Sequence, residues 1–290
     1  MSATNKFQGR AIARESRYAA FWAVLCFLLV FTGSCTPNNP YRPAERGKNY
    51  FYTTFTEPPR HLDPARAYSS DEYDFLAQIY EPPLQYHYLM RPYTLVPLTA
   101  SAAPEPVYLD RAGRRLPQDA PPEKVHRAVY EVRIRESLRY QDHPAFAKGP
   151  DGRPLYMDLT ESGMKGIRQV MDFPVKGARE VRPEDYINEI MRLADPRVES
   201  PVLSILEKYI LGMKEFSKSL RAELADTRKK RREAAGPAYN QALDERKNPI
   251  ALDYSAHPFP GVEKVDGRTF RIILRTKYPQ FVYWLAMPFF

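Results

Sequence analysis

The side chains able to do acid–base or nucleophilic chemistry are scattered along the chain, and no catalytic set stands out. The acidic pairs Asp71/Glu72 and Glu184/Asp185 sit where helices are predicted to start, and the positive end of a helix dipole explains them without catalysis. The sequence holds no Gly-x-Ser-x-Gly, phosphate-binding loop or His-Glu-x-x-His string. We therefore expect no enzyme activity, no cofactor and no metal site. No two of the five histidines are at the helical or turn spacing of a metal site. They are His61, His87, His126, His143 and His257.

The sequence pattern predicts a strand, a helix and a hairpin between residues 128 and 275. Residues 128–135 alternate apolar and charged side chains, as in a strand with one buried and one solvated face. Residues 185–194 carry an apolar stripe at helical spacing, with Pro183 at the first helical position and Arg182 at the N-cap. Residues 262–265 and 268–275, joined by Asp-Gly, are predicted to form a hairpin.

Three further elements complete the expected architecture. An aromatic, threonine-rich run at 49–55 predicts an opening strand, and Ser69 with Glu72 forms a capping box before a helix over 71–80. Apolar residues recur at helical spacing through residues 201–235, which predicts one long helix ended by Gly-Pro. Its basic run at 228–232 is either a solvated helix end or a contact with a membrane or partner.

The order of several short motifs resembles the family 5 extracellular solute-binding proteins, which deliver peptides, nickel complexes and related solutes to ABC importers. Glu-Pro-Pro at 57–59 leads into Leu-Asp-Pro at 62–64, followed by the strand at 128–135 and the Pro-Glu-Asp helix start at 183–185. Arg-Leu-Ala-Asp-Pro at 192–196, Ser-Pro at 200–201 and Tyr-Pro at 278–279 come next in the family order. Arg182 departs from the threonine or serine usual in the family, and the tryptophan of the family's Pro-x-Leu-Ala-x-x-Trp string is missing after Pro97.

The resemblance implies an α/β, periplasmic-binding-protein-like (type II) fold, truncated to the start of lobe one plus the inserted lobe two. Residues 1–34 are then a lipoprotein signal peptide, 35–48 a tether, and 49–83 the opening segment of lobe one. Residues 84–290 are lobe two with insertions. Because family members continue for hundreds of residues after the aromatic helix, the remaining lobes are expected beyond residue 290. Residues 49–80 would then lack their packing partners and be locally unfolded or self-associating in the isolated chain, while residues 125–200 and 262–286 stay folded.

The resemblance also implies ligand contacts. The residues between Leu-Asp-Pro and the first helix line the cleft in relatives, which points to Tyr68, Ser69 and Ser70, and the residue after Ser-Pro points to Val202. Two alternatives stay open: Ser69 serves as the helix cap, and Tyr68 belongs to the core. The ligand expected is a peptide or peptide-like solute, and the expected protein partners are ABC permease subunits.

The first 35 residues have the pattern of a signal peptide for export. Four basic residues precede an uncharged, mostly apolar run at 18–32, which is shorter than the roughly 20 residues of a spanning helix. The string Thr-Gly-Ser-Cys at 32–35 looks like a lipobox, with Thr32 replacing the usual leucine. This resemblance implies lipidation of Cys35 and a lipid-bilayer anchor on the periplasmic or extracytoplasmic face. The alternative is an ordinary secretory signal with an incidental cysteine.

Charge and composition narrow the function classes. The formal net charge of +8 is mild and partly belongs to the signal, so nucleic acid is not expected as a partner. The function expected is a substrate-binding lipoprotein that captures oligopeptides or similar solutes for uptake. A runner-up is an envelope interaction lipoprotein that keeps the scaffold and uses the 201–235 helix to bind a partner. A peptidase ranks third, since no nucleophile–base pair is visible.

Overall fold

A computed structural model describes residues 43–45, 47–49, 52–157, 159–160 and 162–290. The chain divides into two compact units, residues 1–56 and 57–290. In the first unit a 3-10 turn spans Pro43–Glu45, and the Tyr52 hydroxyl donates to Glu45 Oε2 at 2.8 Å. Cys35, the lipobox and the tether up to residue 42 lie outside the described residues. All site residues considered below belong to the second unit.

The second unit is a mixed α/β structure, so the α/β class predicted from the sequence is confirmed. Its helices are α1 (Ser70–Leu76), α2 (Pro183–Arg192), α3 (Leu203–Tyr209), α4 (Met213–Ala235), α5 (Gln241–Lys247) and α6 (Phe281–Trp284). Its strands are β1 (Leu84–Tyr86), β2 (Leu95–Pro97), β3 (Val107–Leu109), β4 (Arg115–Leu116), β5 (Arg127–Arg133), β6 (Val262–Lys264) and β7 (Thr269–Leu274).

A five-stranded antiparallel sheet in the order β4-β3-β5-β7-β6 forms the centre of this unit. Period-two alternation places Tyr130 opposite Ile272 and Val132 opposite Phe270, and all four side chains are buried. On the other face Arg271 bonds to Glu131 at 2.9 Å, as opposite charges across neighbouring strands do. The strand and the hairpin predicted from the sequence are therefore confirmed, and the structure adds the register in which they pair.

Helix α2 covers the buried face of the sheet. Tyr186 stacks on Phe270 with ring centroids 5.3 Å apart, and its hydroxyl donates to Thr99 Oγ1 at 2.7 Å. At the N-terminus of α2, Asp185 Oδ2 accepts the backbone N–H of Arg182 at 2.9 Å. This bond satisfies the N-cap backbone of a helix whose N-cap residue has no side-chain acceptor of its own.

The prediction of one long helix over 201–235 is wrong, because the structure divides this stretch into the two helices α3 and α4. Residues 210–212 leave the helical path: the N–H of Leu211 donates to Ile273 O at 2.9 Å, and Gly212 adopts a left-handed φ of 76°. The apolar spacing runs on through the break because Ile210 and Met213 are both fully buried. Pairing with β7 thus replaces helical hydrogen bonds at this point, while the apolar pattern that predicted the helix is kept.

The sequence predicted less of the structure between residues 49 and 127. Residues 52–55 are not a strand, so the opening strand predicted over 49–55 is not found in its described residues. Helix α1 ends at Leu76 rather than residue 80; Leu76 is buried, whereas Ile79 and Phe55 are 51% and 60% exposed. The local unfolding or self-association expected for residues 49–80 concerns the isolated chain in solution and stays a prediction. Strands β1 to β4 lie in a proline-rich stretch where no element was predicted.

Candidate functional site

The turn at residues 62–67 presents the predicted ligand residues. Asp63 organises it: its backbone oxygen accepts the N–H groups of Arg66 and Ala67 at 3.0 Å each, and its Oδ1 accepts that of Ala65 at 3.1 Å. Ala65 and Ala67 are buried at 1% and 5% exposure. An aspartate that accepts the backbone N–H groups of the residues just after it commonly forms a turn. The Leu-Asp-Pro string therefore has a structural role in shaping this turn.

Glu72 fixes the residues that follow the turn. Its carboxylate accepts the backbone N–H groups of His61, Tyr68 and Ser69 at 2.9, 3.0 and 3.2 Å, and its own N–H donates to Ser69 Oγ at 3.2 Å. Burial alone would raise the pKa of this carboxyl, but the three N–H donors hold it below the usual value. The predicted capping box is confirmed.

This arrangement limits which groups can meet a ligand. The N–H groups of Tyr68 and Ser69 are already donated to Glu72, so neither can pair with a peptide backbone while the cap is intact. Tyr68 is 66% exposed, so it does not belong to the core. The ring of Tyr68 and the exposed side chains of Ser69 and Ser70 remain accessible.

A small cavity of about 70 Å³ lies beside this segment. Typical small-molecule sites measure roughly 300–1,000 Å³, so this cavity holds no more than the tip of a side chain. Its walls come from the turn, from α1 and from the chain just after α6: Pro64, Ala67, Tyr68, Ser69, Tyr73, Leu76, Met287, Pro288 and Phe289.

Val202 does not join this surface. It stands at the N-terminus of α3, is 1% exposed and belongs to the hydrophobic core. Its neighbour in the sequence, Leu203, is also in the core. A side chain so enclosed offers no surface to a ligand in this conformation, and the aliphatic residue at this position is explained by packing.

An ion-pair group ties the turn to α2. Arg192 forms a two-pronged bond to Asp63, with Nη1 at 2.7 Å from Oδ1 and Nη2 on Oδ2, and it also reaches Glu189 Oε2 at 3.4 Å. Burial alone would raise the pKa of Asp63, but the Arg192 guanidinium keeps it below the usual value. Burial raises the pKa of Glu189, and the nearby Asp63 charge adds to that rise.

A group of exposed tyrosines near the cavity was missed from the sequence. Tyr86 stacks on Tyr283 at 6.3 Å and meets Tyr93 edge-on at 6.0 Å, and these rings are 37%, 42% and 66% exposed. Tyr73, a wall of the cavity, is 42% exposed. Clusters of exposed aromatic rings are typical of binding surfaces. The signal available in the sequence was the abundance of tyrosine, 20 in 290 residues, without a spacing that would group these four.

In the described ranges of the chain, no three His, Cys, Asp or Glu side chains come close enough to hold a metal ion. Among the helices that the structure describes, none combines the length and the apolar character needed to cross a bilayer.

Comparison with known proteins gives similarity at the level of structure alone. No family model and no curated protein sequence matches the chain. Three similar solved structures are the pheromone receptor PrgZ (16% identity, TM-score 0.42), the periplasmic oligopeptide-binding protein OppAIV of Borrelia burgdorferi (13%, 0.43) and the murein tripeptide binding protein MppA of Escherichia coli (17%, 0.43). The alignments cover 80%, 80% and 81% of this chain and 28%, 29% and 29% of those proteins. The chain therefore spans less than a third of their length.

Proposed function

We propose that this chain belongs to a substrate-binding lipoprotein of an ABC importer that captures oligopeptides or similar solutes for uptake. The observation that carries the proposal is the Asp63–Arg192 ion pair. It joins the Leu-Asp-Pro and Arg-Leu-Ala-Asp-Pro strings, two of the motifs on which the family resemblance rests, although 129 residues separate the paired side chains. The motifs that are ordered along the sequence thus meet in space beside the predicted ligand residues.

The proposed ligand surface consists of Tyr68, Ser69 and Ser70 with the neighbouring ring of Tyr73. Tyr68 supplies an exposed aromatic face, and the two serines supply hydroxyl groups. Extended peptides are bound through their backbone, with side chains left in roomy, hydrated pockets. Because the cavity here is only about 70 Å³, the peptide would lie along this surface and not inside the second unit.

A second wall is needed to enclose such a peptide. The family resemblance supports placing that wall in lobes encoded after residue 290, with residues 49–83 as the start of lobe one and residues 84–290 as lobe two. Closure of the lobes would then bury the ligand and create the surface that docks onto permease subunits. The anchor at Cys35 would hold the protein on the extracytoplasmic face of a membrane.

The test compares the product of the whole reading frame with the 290-residue chain. We expect calorimetry with an extended oligopeptide to give micromolar or tighter binding for the former. For the latter we expect none, because the proposal places half of the cleft in lobes encoded after residue 290. Tyr68→Ala and Tyr73→Ala should each weaken binding about tenfold or more, as loss of an aromatic anchor does. Tyr239→Ala, which removes a tyrosine bonded to Asp244 outside the cavity, is the matched control.

The outcomes separate the proposal from its competitor. Micromolar binding to the 290-residue chain would show that the cleft has been misplaced. Failure of the whole product to bind any peptide would favour the envelope interaction lipoprotein.

A further inference from the structure

Helix α4 carries a line of cations that the proposed function does not use. Lys214, Lys218, Arg221, Lys229 and Arg232 fall within an arc of about 80° at the helical 100° per residue, with Ala225 between the third and fourth. We call these five residues the basic stripe. All five are exposed, and the stripe runs for about 27 Å along the helix.

The basic stripe is separate from the other faces of α4. Phe216, Leu220 and Leu224 point into the core and are buried. The helix's exposed acidic residues Glu215, Asp226 and Glu233 lie to one side of the stripe by the same helical spacing. Segregation of this kind leaves one face of the helix positive, although the helix as a whole is of mixed charge.

Few carboxylates neutralise the stripe. Arg221 and Lys229 each approach a glutamate only to 3.9 Å, with 57% and 72% of their side chains exposed. In the described part of the chain no ion pair involves Lys214, Lys218 or Arg232. Exposed contacts of this length contribute little, so the stripe keeps most of its charge.

The basic run at 228–232 therefore performs two different tasks. Arg228 bonds to Glu245 at 2.7 and 2.9 Å, and Arg231 bonds to Asp244 at 3.0 Å, so these two arginines hold α5 against α4. Lys229 and Arg232 belong instead to the stripe. Between α4 and α5 lies an open groove of about 570 Å³, whose walls include Arg221, Arg228, Lys229, Arg232 and, from α5, Gln241.

We propose that the basic stripe is a membrane-surface contact that lies on the headgroups of an anionic phospholipid bilayer, with a lipid phosphate entering the α4–α5 groove. An isolated phosphate would occupy only the groove, whereas a line of charges about 27 Å long matches a surface that is negative over the same distance. The exposed side of α4 has small or polar residues such as Ala222 and Ala225 and no large apolar side chain, so the helix adsorbs electrostatically and does not insert.

A bilayer is favoured over other polyanions by the front of the chain. The sequence predicts an acylated Cys35 followed by a tether to residue 48, and 13 extended residues reach at most about 45 Å. A protein anchored in this way meets the headgroups at high effective concentration, so even a modest affinity is sufficient. This inference concerns a different surface from the ligand site and does not depend on peptide capture.

The test measures sedimentation of the full chain with vesicles. Cys35→Ala is built into every version so that no acyl chain contributes. Because the apolar run at 18–32 would bind any vesicle, the readout is the ratio of partition coefficients between phosphatidylglycerol-containing and pure phosphatidylcholine vesicles. Each basic residue near an anionic surface contributes roughly fivefold. We therefore expect the ratio to fall about 10²- to 10³-fold in the variant Lys218→Gln/Arg221→Gln/Lys229→Gln/Arg232→Gln. High salt should abolish the parent's preference for anionic vesicles.

A matched control removes the same number of charges elsewhere. Arg111→Gln/Arg115→Gln/Lys165→Gln/Arg168→Gln changes four exposed cations outside α4, and we expect it to keep the ratio within about threefold. Circular dichroism of both variants should match the parent, since glutamine is a good helix former.

Three results would overturn the proposal. The first is a parent protein with no preference for anionic vesicles, which would leave an acidic protein as the occupant of the stripe. The second is an equal loss of the ratio in the control variant, which would show that net charge alone is responsible. The third is loss of the preference for anionic vesicles in inorganic phosphate at constant ionic strength, which would assign the groove to free phosphate.

Discussion

Arg192 and Asp63 form a two-pronged ion pair across 129 residues, and this contact fastens the turn that carries the candidate ligand residues to helix α2. The guanidinium fork matches the two carboxylate oxygens, which favours arginine over lysine at this position. Asp63 also bonds to the N–H of Ala65, so the same carboxylate shapes the turn and attaches it to the helix. The site is therefore positioned by one side chain with two roles.

A double-mutant cycle with Asp63→Asn and Arg192→Gln should give a coupling free energy of roughly 1 kcal/mol. The two side chains are 28% and 35% exposed, and this solvent access reduces the value below that of a fully buried charged pair. Urea unfolding measures the coupling. The pair Asp151→Asn and Arg153→Gln, at 3.8 Å and largely exposed, is the control and should show almost none. Equal couplings for the two pairs would contradict the structural role given to Asp63–Arg192.

Glu189→Gln should make the protein more stable at neutral pH, by on the order of 1 kcal/mol. Burial raises the pKa of Glu189 above its ordinary value of 4.5, so the folded state binds the proton more tightly than the unfolded state. The stability of the parent therefore falls as pH rises through the folded pKa, and glutamine does not suffer that loss. Unfolding followed as a function of pH should show the difference vanishing below about pH 4.5. A variant less stable than the parent at pH 7 would show that the bond to Arg192 outweighs burial.

Glu72→Gln should have the opposite effect and destabilise the protein by about 1–2 kcal/mol at pH 7. Backbone donors lower the pKa of Glu72 despite burial, so its contribution is complete above the ordinary value of 4.5 and is lost as pH falls through the folded pKa. The two glutamate variants thus form a matched pair with opposite signs at neutral pH, and both differences shrink in acid. A pH-independent loss would instead mean that geometry, and not charge, accounts for the cap.

Gly212→Ala should destabilise the protein by about 2 kcal/mol or more. The residue has a φ of 76°, and a Cβ would lie 2.7 Å from Pro260 Cδ, so strain and steric overlap act together. Gly113→Ala is the control, because its φ of 79° is similar but nothing lies within 4 Å. Thermal unfolding of the two variants separates the cost of overlap from that of the backbone. Equal losses would show that Pro260 moves aside at no cost.

Cys35→Ala should release the protein from the membrane fraction and abolish fatty-acid labelling, as the lipobox at residues 32–35 predicts. A Cys26→Ala variant, which leaves the lipobox cysteine in place, is the control and should remain labelled. Labelling that persists after substitution of Cys35 would refute the lipoprotein assignment.

Local patterns in the sequence determined much of the fold. The strand around Tyr130, its pairing hairpin and the Ser69–Glu72 cap follow from side-chain period, an Asp-Gly turn and residues a few positions apart. Interactions of this range are encoded by spacing, so they can be read without knowing what lies opposite. The outline of the α/β unit could therefore be predicted before its packing was known.

What the tertiary structure decided depends on partners far along the chain. The break at Gly212 comes from pairing with β7 some 60 residues later, and the apolar spacing on either side gave no warning of it. Val202 became a core residue because neighbouring elements enclose it, whereas the family resemblance had placed it on the ligand. The division of the basic run likewise required Asp244 and Glu245 of α5 to lie against two of its arginines. Burial and charge pairing are properties of the folded surroundings, so sequence spacing alone could not fix them.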